Sequence, residues 1–169
     1  MNYEKYLHEK NPKVLIDVDG LGEIELELFP EVAPITVENF LKLVDKDFYK
    51  GIIFHRVIPG FMIQGGDPTG TGMGGSKETI KGEFLSNGVK NLLHHTRGVI
   101  SMARTSFPNS ASSQFFIMHE DAPYLDGEYA GFGVVTKGIE VVDKIAGMAT
   151  DRNDKPLSDV KMKTIKRIK

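Results

Sequence analysis

Residues 23–28 alternate strictly between charged and apolar side chains, in the order Glu-Ile-Glu-Leu-Glu-Leu. Successive side chains of a β-strand point to opposite faces, so this period of two predicts a strand with one wet face and one buried face. The preceding run, 14–18, is rich in β-branched residues, and the connection 19–22 contains two glycines. We therefore expect the two runs to pair as a hairpin that covers part of a core.

Short apolar runs continue the β pattern to the end of the chain. Further strands are expected within 52–58, 61–64, 98–103, 114–118, 131–136 and 159–168. One helix is expected from Pro34, because Val37, Phe40, Leu41 and Val44 then form one apolar stripe. A second helix is expected at 139–148. Many short strands, two helices and frequent Gly and Pro turns favour a closed antiparallel barrel or a sandwich.

Composition narrows the class of protein further. The 169 residues suit one domain, and no internal repeat or linker interrupts them. The chain has no cysteine, which excludes disulfides and thiol chemistry, and its 21 basic and 23 acidic residues give a net charge of −2. That balance offers no electrostatic reason for a nucleic-acid or membrane partner. Residues 1–10 are polar, and no apolar run approaches the roughly 20 residues of a membrane span. We expect a cytoplasmic protein.

A glycine-rich string and the set of histidines could indicate a nucleotide site or a metal site, but the neighbouring sequence favours neither. The string Gly70–Gly75 matches G-x-G-x-x-G, but a dinucleotide site needs a helix directly after it, and 76–82 is a poor helix start. A flexible surface loop fits better. The histidines lack metal-binding spacing, and adjacent His94 and His95 would point to opposite faces of a strand. His119 follows a strand and is expected in a solvated turn. We predict no metal and no cofactor.

The segment 54–67, with the sequence FHRVIPGFMIQGGD, does not fit an ordinary core. Arg56 lies within an apolar run, where an unpaired buried cation is costly. A cation that reaches the surface is the simpler alternative. Yet Met62 and Gln64 share one face of their strand, and Gln114 and Phe116 share one face of theirs. Polar and apolar groups facing together indicate a groove for a peptide.

Segment 54–67, the runs 101–103 and 113–117, and Leu125-Asp126-Gly127 resemble the cyclophilins in order and spacing. The resemblance covers about residue 14 to the C-terminus. It implies a mostly β domain at 14–169, a closed eight-stranded antiparallel β-barrel capped by two α-helices, preceded by an N-terminal extension at 1–13. It also implies peptidyl-prolyl cis/trans isomerase activity without a cofactor. Residues 102–105 are similar to those of bacterial members.

The resemblance also assigns site residues. Arg56 is implied as the catalytic arginine, and Gln64 as the catalytic residue that engages the substrate backbone. The implied substrate-binding residues are His55, Phe61, Met62, Ala103, Arg104, Gln114, Phe116, Tyr124, Leu125 and Tyr129, with Arg104 contributing through its main chain. Tyr124 replaces the usual Trp of cyclosporin-sensitive members, and Tyr129 replaces a common His. The implied partners are proline-containing peptides and unfolded or folding proteins, and cyclosporin with weakened affinity. A monomer is expected.

Three alternatives remain open from the residues alone. A binding module could hold proline-containing segments in the same groove without catalysis. A nucleotide-binding protein would use the loop Gly70–Gly75. A structural scaffold would use neither, and the polar and aromatic pattern counts against it.

Overall fold

The computed structural model describes residues 1–168, within which eight strands and two α-helices form one mostly β unit. The strands are β1 (Lys13–Val18), β2 (Gly22–Leu28), β3 (Phe54–Ile58), β4 (Met62–Gly65), β5 (Val99–Met102), β6 (Phe115–Met118), β7 (Gly131–Lys137) and β8 (Met162–Ile168). The helices are α1 (Pro34–Asp45) and α2 (Ile139–Ala146), and short 3-10 turns lie at Tyr3–Tyr6, Leu85–Asn87 and Pro123–Leu125.

The strands form one antiparallel sheet in the order β3-β4-β6-β5-β7-β2-β1-β8. The two edge strands of this sheet, β3 and β8, lie next to each other. There Ile53 forms an antiparallel bridge with Lys161, and the Phe54 N–H donates to the Val160 carbonyl at 2.9 Å. These contacts join the edge strand β3 to the start of β8, so the sheet curls round on itself. The predicted eight-stranded closed barrel with two helices is confirmed.

Helix α1 caps one opening of the barrel. Pro34 occupies its first turn, where the missing N–H has no helical partner to lose. The buried carboxylate of Glu83 accepts from the Thr36 N–H at 2.6 Å and the Thr36 hydroxyl at 2.7 Å. The apolar stripe predicted for this helix faces the core, where the Phe40 ring packs edge-on against Phe115 at 5.6 Å. The barrel interior is therefore filled with side chains.

The outer face of the sheet, turned away from the core, carries an aligned row of residues from four strands. Arg56 of β3 lies opposite Gln64 of β4, Gln64 lies opposite Phe116 of β6, and Phe116 lies opposite Ser101 of β5. Opposed residues of antiparallel strands point to the same face, with Cβ atoms about 4.5–5.5 Å apart. This register brings together side chains that lie far apart in sequence.

The predicted strands and helices differ from the structure mainly at their ends. Strand β3 begins at Phe54, two residues later than expected, and the preceding Gly51 and Ile52 exchange backbone hydrogen bonds with Met162 of β8. Helix α2 ends at Ala146, directly before Gly147. The C-terminal strand begins at Met162. These shifts leave the order of elements unchanged.

Residues 1–12 lie along the barrel. The Asn2 amide donates to the Leu92 carbonyl at 2.7 Å. Glu27, a buried carboxylate of β2, accepts from the His8 N–H at 2.8 Å and from the Asn11 amide at 2.9 Å. The division between an extension at 1–13 and a domain from residue 14 stays a prediction. No helix within residues 1–168 is long and apolar enough to cross a membrane.

Candidate active site

One cavity of about 180 Å³ opens on the face that carries the aligned row. The β3–β4 hairpin turns at Pro59-Gly60, so it brings Arg56 and Gln64 to the rim. Nine of the residues implied by the resemblance line the cavity: Arg56, Phe61, Met62, Gln64, Ala103, Arg104, Phe116, Leu125 and Tyr129. Their functional roles stay predictions, but the fold brings them together.

The floor and walls of the cavity are apolar. Met62, Phe116 and Leu125 are buried side chains that still border it. Phe116 is fixed by two aromatic neighbours, since the His95 ring stacks on it at 6.0 Å and Tyr129 meets it edge-on at 5.7 Å. A small apolar ring could enter this hollow and displace water from a surface that is already shaped.

A chain of hydrogen bonds leads from the cavity rim into the neighbouring loop. Arg56 Nη1 donates to Gln64 Oε1 across a long 3.4 Å, and Gln64 Nε2 donates to Gln114 Oε1 at 2.9 Å. Gln114 Nε2 in turn donates to the carbonyls of Gly72 and Gly74 at 3.0 and 2.8 Å. These hydrogen bonds orient the amide groups of Gln64 and Gln114. Among the described residues, the Arg56 guanidinium makes one long hydrogen bond, to Gln64.

The loop that receives Gln114 is organised by Asp67. Its carboxylate accepts from the backbone N–H groups of Thr69, Thr71, Gly72 and Gly74 at 2.7–3.2 Å. Burial opposes the charge of Asp67, but these hydrogen bonds and that from the Thr69 hydroxyl outweigh it and lower its pKa to about 2. We expected a flexible loop at 70–75. That prediction did not foresee that an aspartate would gather the loop's N–H groups.

A second depression of about 260 Å³ adjoins the cavity beyond the two glutamines. It shares Gln64, Ala103 and Arg104 with the cavity, and its far wall is formed by the 72–76 loop and by Thr105, Ser110 and Ser112. Gln114 lines this depression and not the first cavity. An extended chain could therefore occupy both hollows at once.

Two other residues implied by the resemblance lie outside both hollows. Tyr124 is 71% exposed on the rim, with its ring centre 6.1 Å from that of Phe61. His55 is 6% exposed, so it lies beneath the loop and does not line the cavity. Neither of its ring nitrogens has a hydrogen-bond partner among residues 1–168. Desolvation lowers the pKa of His55, and the cation of Arg56 acts in the same direction, while Asp67 opposes both.

A buried cluster beneath the cavity was not foreseen. His95 Nε2 lies 2.8 Å from Ser101 Oγ, and His95 Nδ1 lies 3.1 Å from Asp126 Oδ1. The order of groups is that of a hydrolytic triad, but Ser101 is 0% exposed, so its hydroxyl cannot reach a substrate. The cluster instead connects β5 with the turn that carries Leu125. A buried histidine stacked on a cavity residue is a contact that the spacing of the sequence does not reveal.

His119 is a correction to the sequence analysis. We expected it in a solvated turn, but its Nδ1 accepts from the Gly60 N–H at 2.8 Å. Its Nε2 lies 3.1 Å from Asp143 of α2. The ring therefore fastens the β3–β4 turn to a helix. In the part of the chain that the structure describes, no three His, Cys, Asp or Glu side chains are grouped as metal ligands.

Comparison with known proteins gives a consistent result. The family model described as "Cyclophilin type peptidyl-prolyl cis-trans isomerase/CLD" matches residues 13–167. Peptidyl-prolyl cis-trans isomerase ppi1 of Schizosaccharomyces pombe is 46% identical over 144 residues, which are 85% of this chain and 91% of that protein. The similarity to bacterial members stays a prediction.

Solved structures give the same match. A crystal structure of a cyclophilin type peptidyl-prolyl cis-trans isomerase from Cryptosporidium parvum superposes with a TM-score of 0.86 at 36% identity, covering 94% of this chain and 98% of that one. A second structure of that protein, in the presence of the dipeptide Ala-Pro, gives a TM-score of 0.85 at 37% identity, covering 93% of this chain and 99% of that one.

Proposed function

The chain belongs to the cyclophilin-type peptidyl-prolyl cis-trans isomerases, and we propose that Arg56 supplies its catalysis by stabilising the twisted X-Pro amide. The apolar cavity holds the proline ring while the bond turns. The observation that carries this proposal is the position of Arg56, a cation with unused donors at the rim of that cavity.

The barrier that must be lowered arises from amide resonance. Resonance holds the peptide bond planar, with a rotation barrier of about 18–20 kcal/mol. In the twisted transition state conjugation is lost, so the prolyl nitrogen becomes pyramidal and regains a lone pair. A donor aimed at that nitrogen binds the twisted state better than either planar isomer. Only such differential binding accelerates the chemical step.

The surroundings of Arg56 support this role. A guanidinium has five N–H donors, and Arg56 uses one of them in its 3.4 Å bond to Gln64. No carboxylate of residues 1–168 forms an ion pair with it. The remaining donors are therefore available to a substrate. By analogy with oxyanion holes, one preorganised donor contributes about 2.7–4 kcal/mol of transition-state stabilisation.

The cavity anchors the substrate and does not itself accelerate the rotation. We propose that Phe61, Met62, Phe116 and Leu125 surround the proline ring, which is apolar and rigid. Burial of apolar surface contributes roughly 25 cal/mol per Å². It stabilises the planar and twisted states alike, so it lowers KM without raising kcat. With the ring fixed, rotation moves the part of the peptide on the other side of the bond.

The two glutamines and the main chain beside them hold that other part. We propose that Gln64, Gln114, Ala103 and the backbone of Arg104 bind the substrate residues that precede the proline. Their side chains are oriented before binding, because Gln64 donates to Gln114 and Gln114 donates to the loop. Such preorganisation reduces the entropy lost on binding.

Proline-containing peptides are the substrates of this family, and the related Cryptosporidium parvum protein was crystallised in the presence of Ala-Pro. We propose that this chain acts as a monomer in the cytoplasm on unfolded and folding proteins, without nucleic-acid, membrane or cofactor partners. We also propose that it binds cyclosporin with weakened affinity.

The experiment that tests the role of Arg56 is a protease-coupled isomerase assay on an Ala-Pro peptide. Arg56→Ala is expected to lower kcat/KM by about 100-fold to 1,000-fold, the loss typical of one preorganised donor. Arg56→Lys should recover little, because an ammonium does not reproduce the planar fork of donors. Arg167→Ala, which removes an arginine paired with Asp45 outside the groove, is the matched control and should keep full activity. Full activity in Arg56→Ala would refute the role.

A further inference from the structure

Arg104 lies where the two hollows join. It lines the cavity together with Phe116 and Leu125, and it lines the adjoining depression together with Gln114 and Ser110. A peptide that occupied both hollows would pass this residue. The resemblance gave Arg104 a role through its main chain alone, so the position of the guanidinium is additional information.

The side chain of Arg104 is held in place from several directions. Its Cζ lies over the rings of Phe84 and Tyr129, 4.6 Å from each ring centre. Nε and Nη2 donate to the Glu128 carbonyl at 3.2 and 2.6 Å, and Nη1 donates to the Thr105 carbonyl at 2.9 Å. Because these contacts already order the long side chain, a ligand need not supply that ordering.

These contacts leave donors and charge unused. Three of the five N–H groups are engaged, so one remains on each Nη atom. No carboxylate in the described part of the chain forms an ion pair with Arg104. The carbonyl oxygens and aromatic rings around it carry no formal charge, so its positive charge is not neutralised.

The linings of both hollows have the same charge asymmetry. Among the described residues they contain two arginines, Arg56 and Arg104, and neither Asp nor Glu. The chain as a whole has a net charge of −2. The groove is therefore a local cationic site on a slightly acidic protein, which favours an anionic ligand group.

We propose that Arg104 selects substrates with an acidic side chain on the N-terminal side of the proline, either immediately before it or one residue earlier. The inference rests on the proposed function, because it assumes that the proline ring fills the first cavity and the preceding residues run toward the second. A carboxylate can accept from a remaining N–H group of Arg104, and such charge-assisted bonds are the stronger class. Glu and Asp are the side chains with this chemistry.

The test compares isosteric peptides that differ in charge alone. Exchange rates between cis and trans signals are measured by NMR for Ala-Glu-Pro-Phe against Ala-Gln-Pro-Phe, and for Glu-Ala-Pro-Phe against Gln-Ala-Pro-Phe. The wild-type protein should favour the Glu peptide of at least one pair by about fivefold in kcat/KM, the range of a partly exposed ion pair. The ratio should fall toward one at about 0.5 M NaCl, where screening is strong.

Substitutions assign that ratio to Arg104. Arg104→Gln should bring it to one, and Arg104→Lys, which keeps the charge but not the fork, should give an intermediate value. Arg167→Gln, a matched loss of charge outside the groove, should leave the wild-type ratio. A wild-type ratio of one for both pairs would overturn the proposal, and so would a preference that persists in Arg104→Gln. The role of Arg56 is tested separately, because full activity in Arg56→Ala would refute it while this ratio stayed measurable.

Discussion

At the scale of single residues, Tyr124 is an exposed aromatic side chain beside the cavity. It is the exposed neighbour of Phe61, and its phenol replaces the larger indole that the resemblance associates with cyclosporin-sensitive members. An indole offers more apolar surface and an N–H donor at its far edge. The missing edge is the physical reason to expect weak cyclosporin binding here.

Tyr124→Trp is therefore expected to tighten cyclosporin binding by about tenfold, the equivalent of 1.4 kcal/mol. Isothermal titration calorimetry measures the affinity directly. Phe107→Trp introduces the same side chain at an exposed aromatic position that lines neither hollow, and it should leave the affinity unchanged. An unchanged affinity in Tyr124→Trp would remove this residue as the explanation.

At the scale of elements, the 67–75 loop is the part of the site that sequence patterns described least well. Its glycines suggested a flexible backbone, but in the structure they allow the backbone to fold tightly around a carboxylate. A Cβ on Gly74 would collide with Asp67 Oδ1. The carboxylate then satisfies N–H groups from four residues of the loop. The Asp-Pro-Thr-Gly sequence at 67–70 is a turn signal that could have indicated this, because Asp side chains bind nearby backbone N–H groups.

Asp67→Ala is expected to release the loop and to weaken the orientation of Gln114. Amide hydrogen exchange at Gly72 and Gly74 should accelerate, because their N–H groups lose their acceptor. KM for an Ala-Pro peptide should rise several-fold while the barrel keeps its far-UV circular dichroism spectrum. Asp67→Asn retains an acceptor oxygen without the charge, so its exchange rates and KM should lie between those of the wild type and of Asp67→Ala. Wild-type exchange rates at both glycines in Asp67→Ala would show that the loop is held by other contacts.

At the scale of the whole molecule, two buried histidines make stability depend on pH. Desolvation lowers the pKa of both His55 and His95, although the hydrogen bond that the His95 ring donates to Asp126 partly opposes this for His95. The unfolded chain takes up protons near the ordinary histidine pKa of about 6.5, whereas the folded chain resists them. The histidine contribution to stability is therefore complete above about pH 6.5 and is lost as the pH falls below it.

Urea denaturation should accordingly give a lower free energy of unfolding at pH 5.5 than at pH 7.5. This window lies above the pH range in which Asp67 takes up a proton, since its pKa is lowered to about 2. His95→Gln removes one of the two groups and should reduce the difference between the two pH values. His8→Gln, at an exposed histidine of the N-terminal segment, should not. A free energy of unfolding that is equal at both pH values would contradict this account.

The same scale shows what the sequence could and could not predict. Local periodicity was sufficient for β2 and α1, because alternation and an apolar stripe are properties of consecutive residues. The segment 54–67 marked Arg56 and Gln64 because a polar group on an apolar strand is unusual. In contrast, the pair His95–Asp126 spans 31 residues, and barrel closure joins Ile53 to Lys161. Such contacts depend on the path of the whole chain, which no local pattern contains.

The most direct test of the central claim separates binding from rotation in one sample. Two-dimensional NMR exchange spectroscopy on an Ala-Pro peptide reports cis/trans exchange, and the chemical shifts of the protein report binding. Arg56→Ala is expected to bind the peptide with a Kd within about threefold of wild type, since the apolar cavity is intact, while exchange slows by at least about 100-fold. Undiminished exchange in this variant would contradict the claim that the Arg56 guanidinium stabilises the twisted amide.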